Sequence, residues 1–151
     1  MKTYKSNTPQ YRLVKEPTNI KKVKITKSGD IDEYARQFYH DDIAIYESFF
    51  TVFLNSANNT IGWVKISQGG LMGTVVDERL ITKYAIESLC VAVILCHNHP
   101  SGRMKPSDQD IRITNNIKKA LNYFSIRLLD HIILSSENYK YYSFADEGLI
   151  H

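Results

Sequence analysis

The run VAVILC at residues 91–96 constrains this chain most, because its six apolar or small residues pass without interruption into His97, Asn98 and His99. An apolar stretch of that length with no period-2 alternation reads as a strand covered on both faces. Two imidazoles then follow at a spacing of two. Side chains two apart on an extended segment point to the same side, so His97 and His99 share a face while Cys96 and Asn98 turn the other way.

Around this strand the periodicities predict one domain. Residues 1–29 form a basic arm, with Pro9, Pro17 and the KSGD turn arguing against a helix. DIDEYARQFY predicts a short helix capped by Asp30, and AIYESFFTVFL, residues 44–54, a buried strand. NSANN supplies turn chemistry, and TIGWVKIS is then the second strand of a hairpin. QGGLMG lacks the lysine and spacing of a phosphate-binding loop and reads as a connection. Leu80/Ile81, Tyr84/Ala85 and Ser88/Leu89 recur at helical spacing over 77–90. Beyond the histidines, Ile111, Thr114, Ile117, Leu121 and Phe124 mark another helix face, and IRLLDHIIL and YKYYSF close the chain as two strands across SSEN. The order predicts an α/β (α+β) fold with a single domain over residues 30–151 behind the arm at 1–29.

Composition narrows the function classes. The 151 residues are enough for one sizeable core, and no apolar run approaches the ~20 residues of a membrane span. The first residues show no apolar signal segment, and Cys90 and Cys96, the two cysteines, read as reduced thiols packed as small hydrophobes. A cytoplasmic location without membrane contact is the expectation. Eight of the basic residues fall in 1–29 against Glu16 alone, so the domain itself is net acidic and the arm is a candidate for weak nucleic-acid contact.

Two readings of the loop after His99 stand side by side. Ser107 and Asp110 fit S-x-x-D, a helix N-terminal capping box, with Pro106 just outside it. Two imidazoles and a carboxylate also make a catalytic zinc set with one position left for water. Pro100, Gly102 and Pro106 make a loop tight enough to return Asp110 to the histidines. The readings are compatible, because Ser107 can cap while Asp110 also binds metal. His131, beside Asp130, reads as a hydrogen-bonded core histidine, with a place behind the metal ligands as the lesser alternative.

HNHPSG…PSDQD resembles the signature of the JAMM (MPN/JAB) metalloprotease domain: H-x-H, seven residues, Ser, two residues, Asp. The wider text, with SQGGLMGTVVDERLI upstream and LLDHIIL and YYSFADEGL downstream, is similar to the RadC-type branch over roughly residues 44–150. The resemblance implies a mixed β-sheet flanked by helices, of cytidine-deaminase-like architecture, binding one zinc ion per chain. It implies His97, His99 and Asp110 as the zinc ligands, and Ser107 as hydrogen-bond donor to the reacting carbonyl or its oxyanion. Glu47 occupies the position of the general acid/base. A carboxylate inside an apolar strand needs a chemical reason to be there, whereas Glu78 and Glu87 lie on a helix whose solvated face accounts for them.

Asn98 stands where protease members of the family have Ser or Thr, and it points to the RadC branch rather than to peptidase chemistry. Residues 1–43 are too short and too rich in proline and lysine for the helix-hairpin-helix segment of RadC-type proteins. The leading expectation is a zinc hydrolase acting on a peptide or isopeptide bond in a peptide or protein substrate. The alternatives are a DNA-associated accessory protein, through the basic arm, and a non-catalytic interaction module. Exposed strand edges in a domain of this size make a homodimer a further expectation.

Overall fold

The strand that begins in VAVILC is the centre of a five-stranded sheet. In a computed structural model of the chain, residues 7–70, 73–137 and 139–150 are described. Lys2 and Lys5 of the arm, Leu71 and Met72 of the glycine-rich connection, Asn138 of the last turn and His151 lie outside the described residues. The elements run α1 (Ser28–Arg36), β1 (Ser48–Leu54), β2 (Thr60–Gln68), α2 (Glu78–Glu87), β3 (Ala92–His99), α3 (Asp108–Asn122), β4 (Arg127–Ser135) and β5 (Tyr141–Ser143). The sheet order is β2-β1-β3-β4-β5. The β3–β4 pair is parallel and the other pairs are antiparallel, so this is a mixed sheet flanked by three helices. No described helix is long and apolar enough to cross a membrane.

Alternation along β3 divides the core in two. Ile94 and Cys96 join Phe50, Val52, Leu54, Ile132 and Leu134 against Ile31, Tyr34 and Ala35 of α1. Val93 and Leu95 join Phe49, Phe53 and Ile133 against Ile81 and Ala85 of α2 and Ile117 and Leu121 of α3. Both sets are buried, as the unbroken apolar run requires. Cys90 and Cys96 are free and buried.

Several boundaries differ from expectation. The first strand begins at Ser48 and not at Ala44, because Ile45 and Tyr46 both donate their N–H to Asp42 O in a turn and remain about two-fifths exposed. Glu47 is therefore the residue just before the strand and not one inside it. The first helix begins at Ser28, within the stretch read as a turn, and Asp30 sits in its first turn instead of capping it. The Asp30 carboxylate accepts from Thr26 N (2.8 Å), Thr26 Oγ1 (2.8 Å) and Lys27 N (3.2 Å), which closes the helix start from inside. The second helix stops at Glu87, as Leu89 takes a left-handed φ of 59° and turns its side chain to solvent. Ahead of α1, Ile25 is buried against the α1-side core, and Lys24 forms a β-bridge with Asn59 at the start of β2.

The double coverage of β3 has a measurable consequence. Ile94→Ala and Leu95→Ala, on opposite faces, are each expected to cost about 2–5 kcal/mol in urea unfolding. A loss at one position only would mean that one face is open.

Candidate metal centre

The register of the sheet brings the candidate residues to one end of β3. Phe49 pairs with His97 across the antiparallel β1–β3 ladder, so the residue two before Phe49, Glu47, falls beside His99 on the same face. His97 is buried and stacks on Phe49, with centroids 5.7 Å apart and planes 12° from parallel. The loop after β3 folds back at Gly102, whose φ of 78° suits glycine and whose N–H donates to His99 O (2.9 Å). It delivers Ser107 and Asp110 to the start of α3.

The turn forms the capping box and also faces the histidines. Ser107 is the N-cap of α3: its Oγ accepts from Asp110 N (3.1 Å), and its own N–H donates to Asp110 Oδ2 (2.9 Å). The capping box thereby fixes the Asp110 carboxylate, and the same carboxylate faces the histidines. Asp110 Oδ1 lies 3.4 Å from His97 Nε2, and Oδ2 lies 3.3 Å from His99 Nε2. The two Nε2 atoms are 2.9 Å apart. Glu47 Oε1 stands 3.7 Å from His99 Nε2 on the other side. Ligand atoms of Glu47, His97 and His99 all fall within 4.8 Å of one another. Glu47 is the more distant carboxylate from His99, and Asp110 touches both imidazoles.

The electrostatics favour a cation at this point. Burial pushes the Asp110 carboxyl up, but His97 and His99 beside it outweigh burial and hold it well below the usual carboxylate range. Burial alone would lower His99, yet the Asp110 carboxylate, the Arg103 carbonyl and Glu47 raise it. His99 Nδ1 contacts Arg103 O at 2.7 Å, and a carbonyl only accepts, so Nδ1 carries a proton. In the neutral ring the Nε2 lone pair is then left facing Asp110, Glu47 and His97. Tetrahedral zinc with ligands at 2.0–2.2 Å separates its donor atoms by roughly 3.3 Å. The contacts of 3.3 and 3.4 Å match that spacing, and the imidazole pair is somewhat closer. Two nitrogen donors, one carboxylate and a second carboxylate set back from them fit the ion.

Three groups that hold the site gave weaker signals in the sequence. Asn98 is fully buried on the face opposite the histidines, and all four of its hydrogen-bonding positions are used. Its Oδ1 accepts from Ser48 N (2.8 Å) and Tyr39 OH (3.0 Å), and its Nδ2 donates to Ile43 O (2.7 Å) and Tyr46 O (2.8 Å). These bonds fix the turn that presents Glu47. The glycine-rich connection does the same from the other side: Thr74 N donates to Glu47 Oε2 (2.9 Å), and a Cβ on Gly73 would lie 3.2 Å from that oxygen. At Gly69 a Cβ would lie 1.8 Å from Gly73 O, so only glycine fits at that position. The loop's reading as a mere connection is therefore too modest. The third group is His131, completely buried on β4, with Nε2 2.7 Å from His97 Nδ1 and Nδ1 2.6 Å from Thr114 Oγ1. It is both a core histidine and a neighbour of the candidate ligands. Burial, with His97 adding to it, holds His131 well below the ordinary histidine range. Glu78 accepts from Asn116 Nδ2 (3.1 Å) and Glu87 is exposed on α2, so neither joins the site.

Glu47, His97, His99, Ser107 and Asp110 line a single cleft of about 590 Å³, together with Thr74–Val76 and Arg103. Fold and site together define a mixed-sheet α/β domain with a metal-competent His-x-His and carboxylate centre at the end of its central strand. The sequence matches the RadC-like JAB domain family over residues 25–149, and the chain belongs to that family. It is 45% identical over 104 residues to a UPF0758 protein of Flavobacterium johnsoniae, covering 69% of this chain and 44% of that one. A UPF0758 protein of Porphyromonas gingivalis is 42% identical over 104 residues, covering 69% and 45% of the two chains. A Fusobacterium nucleatum UPF0758 protein is 34% identical over 148 residues, 97% of this chain and 60% of that one. The chain thus spans about half the length of these curated relatives.

Removal of the Asn98 side chain is expected to be costly. Asn98→Ala strands two carbonyls, an N–H and a phenol at a buried position, and should destabilise the fold by about 3 kcal/mol or more in urea unfolding. A change under about 0.5 kcal/mol would show that this network does not hold the turn.

Proposed function

We propose that this domain is a zinc-dependent hydrolase of the JAMM type, acting on a peptide or isopeptide bond. The observation that carries the reading is the convergence of His97 Nε2, His99 Nε2 and the Asp110 carboxylate on one point, with the Glu47 carboxylate set back beside it. His97, His99 and Asp110 would hold the ion. When bound, zinc polarises a carbonyl and lowers the pKa of a water to ~7.

The chain's own residues supply the remaining roles. Glu47, its Oε2 anchored by Thr74 N–H, has Oε1 free to take a proton from the attacking water and return it to the leaving amine. Ser107 uses its oxygen to cap α3, which leaves its O–H free to donate to the carbonyl oxygen as charge develops there. Phe49 and Val76 give the cleft apolar wall on the side of Glu47.

The purified protein is expected to bind one zinc per chain. Asp110→Ala should lose the metal, whereas Glu47→Gln should keep it and lose at least ~100-fold in hydrolysis of a peptide or isopeptide substrate. Elemental analysis and a substrate panel check both, and a metal-free wild type after reconstitution would overturn the reading. Chelation should lower the melting temperature of the loaded protein, because an ion held only by the folded state stabilises it by mass action. An unchanged melting curve under chelator, with zinc removed, would contradict that linkage.

A further inference from the structure

The hydrogen bonds behind His97 run in one direction, and a single carbonyl fixes that direction. Thr114 Oγ1 lies 2.6 Å from the backbone oxygen of Asp110, which can only accept, so the lone hydroxyl proton of Thr114 points there. His131 Nδ1, 2.6 Å from the same Oγ1, must therefore donate to it. His131 is wholly enclosed among Phe49, Phe144, His97 and Thr114, with Phe144 stacked on it at 4.6 Å between centroids, so the ring is neutral. A neutral ring protonated at Nδ1 is bare at Nε2, and that atom faces His97 Nδ1 at 2.7 Å. His97 must then donate from Nδ1, and in a neutral ring the lone pair is left on its Nε2. Asp110 stands at both ends of this line, supplying the carbonyl at one end and, 3.4 Å from His97 Nε2, a carboxylate oxygen at the other.

We propose that His131 is a positioning residue that locks His97 in the Nδ1–H tautomer and so sets the affinity of the site for its metal. The proposal rests on the reading of His97, His99 and Asp110 as the ligands. Arg103 O performs the same service for His99 at the exposed side of the cleft. His97 is buried, and a second histidine takes that place behind it. Outer partners of this kind fix ligand orientation and raise ligand basicity.

Zinc affinity of the wild type, His131→Leu and His131→Gln, measured by competition with a chromophoric chelator, tests the assignment. Leucine fills the space but accepts nothing from His97, and the expected loss is about 10- to 100-fold. Glutamine offers an accepting oxygen toward His97 and a donating amide toward Thr114, so it should recover most of that loss. A role in packing alone predicts the opposite order, since leucine suits an apolar enclosure better. Wild-type affinity in His131→Leu, or glutamine no better than leucine in a folded protein, overturns the proposal. A two-bond ¹H–¹⁵N spectrum of the metal-free wild type needs no variant, and it should show His131 protonated at Nδ1 and bare at Nε2. The reverse order refutes the relay even if the substitutions prevent folding. A wild type that takes up no zinc while showing the expected proton order would sink the ligand reading and leave the relay standing.

Discussion

The alternation of side chains along β3 continues past the point where its apolar residues give way to polar ones, and the two faces then receive opposite chemistry. On the α3 face, His97 and His99 present imidazoles to a cleft. On the α1 face, Asn98 is fully buried, where a polar side chain is tolerated only if every donor and acceptor is matched. It is matched by the turn that precedes β1, and that turn carries Glu47. One strand end thus aims two of the candidate ligands and, through the residue between them, orients the carboxylate just ahead of the neighbouring strand. Together with the return of Asp110 by the capping box and the bond from Thr74 N–H to Glu47, this pairing places the candidate residues.

Much of this was legible in the residues, and the failures have physical causes. The doubly covered strand was readable because six consecutive apolar residues at strand length, rich in β-branched side chains, suit a strand buried on both faces, and the two helices beside it were readable from their 3.6-residue spacing. S-x-x-D was readable as a cap and as half of a metal site, and it serves as the first while facing the histidines required by the second. The sequence predicts an earlier start for β1 because Ile45 and Tyr46 have strand-forming side chains, whereas the buried Asn98 amide, 52 residues beyond Tyr46, holds this stretch in a turn. Tertiary hydrogen bonds of that range leave no local trace. The role of the glycine-rich loop was hidden for a related reason. Glycine reports that something passes close by, and only the fold says that the neighbour is a carboxylate.

Charge arrangement distinguishes this cleft from a polar pocket of similar composition. Two carboxylates and a carbonyl surround two imidazoles whose lone pairs point inward, and no lysine or arginine ion pair neutralises the cluster among the described residues. Unlike charges in a low-dielectric setting attract strongly, and a divalent cation satisfies more of them at once than a proton does. The apolar stacking of His97 on Phe49 and of His131 on Phe144 keeps the inner side of the cluster dry, which preserves that field.

The parallel pairing of β3 with β4 bears on how the chain reaches this state. Parallel neighbours cannot be joined by a tight turn, and here the connection is α3, with Asp110 in its first turn. The β1–β2 hairpin is local and forms on the microsecond scale, but Phe49 meets His97 only after 47 intervening residues have been closed into a loop. Non-local closures of that kind dominate the folding time of mixed sheets. Glu47, His97, His99, Asp110 and His131 belong to four separate segments, and the last of them joins only when β4 docks. The cluster is therefore complete only once β4 lies beside β3.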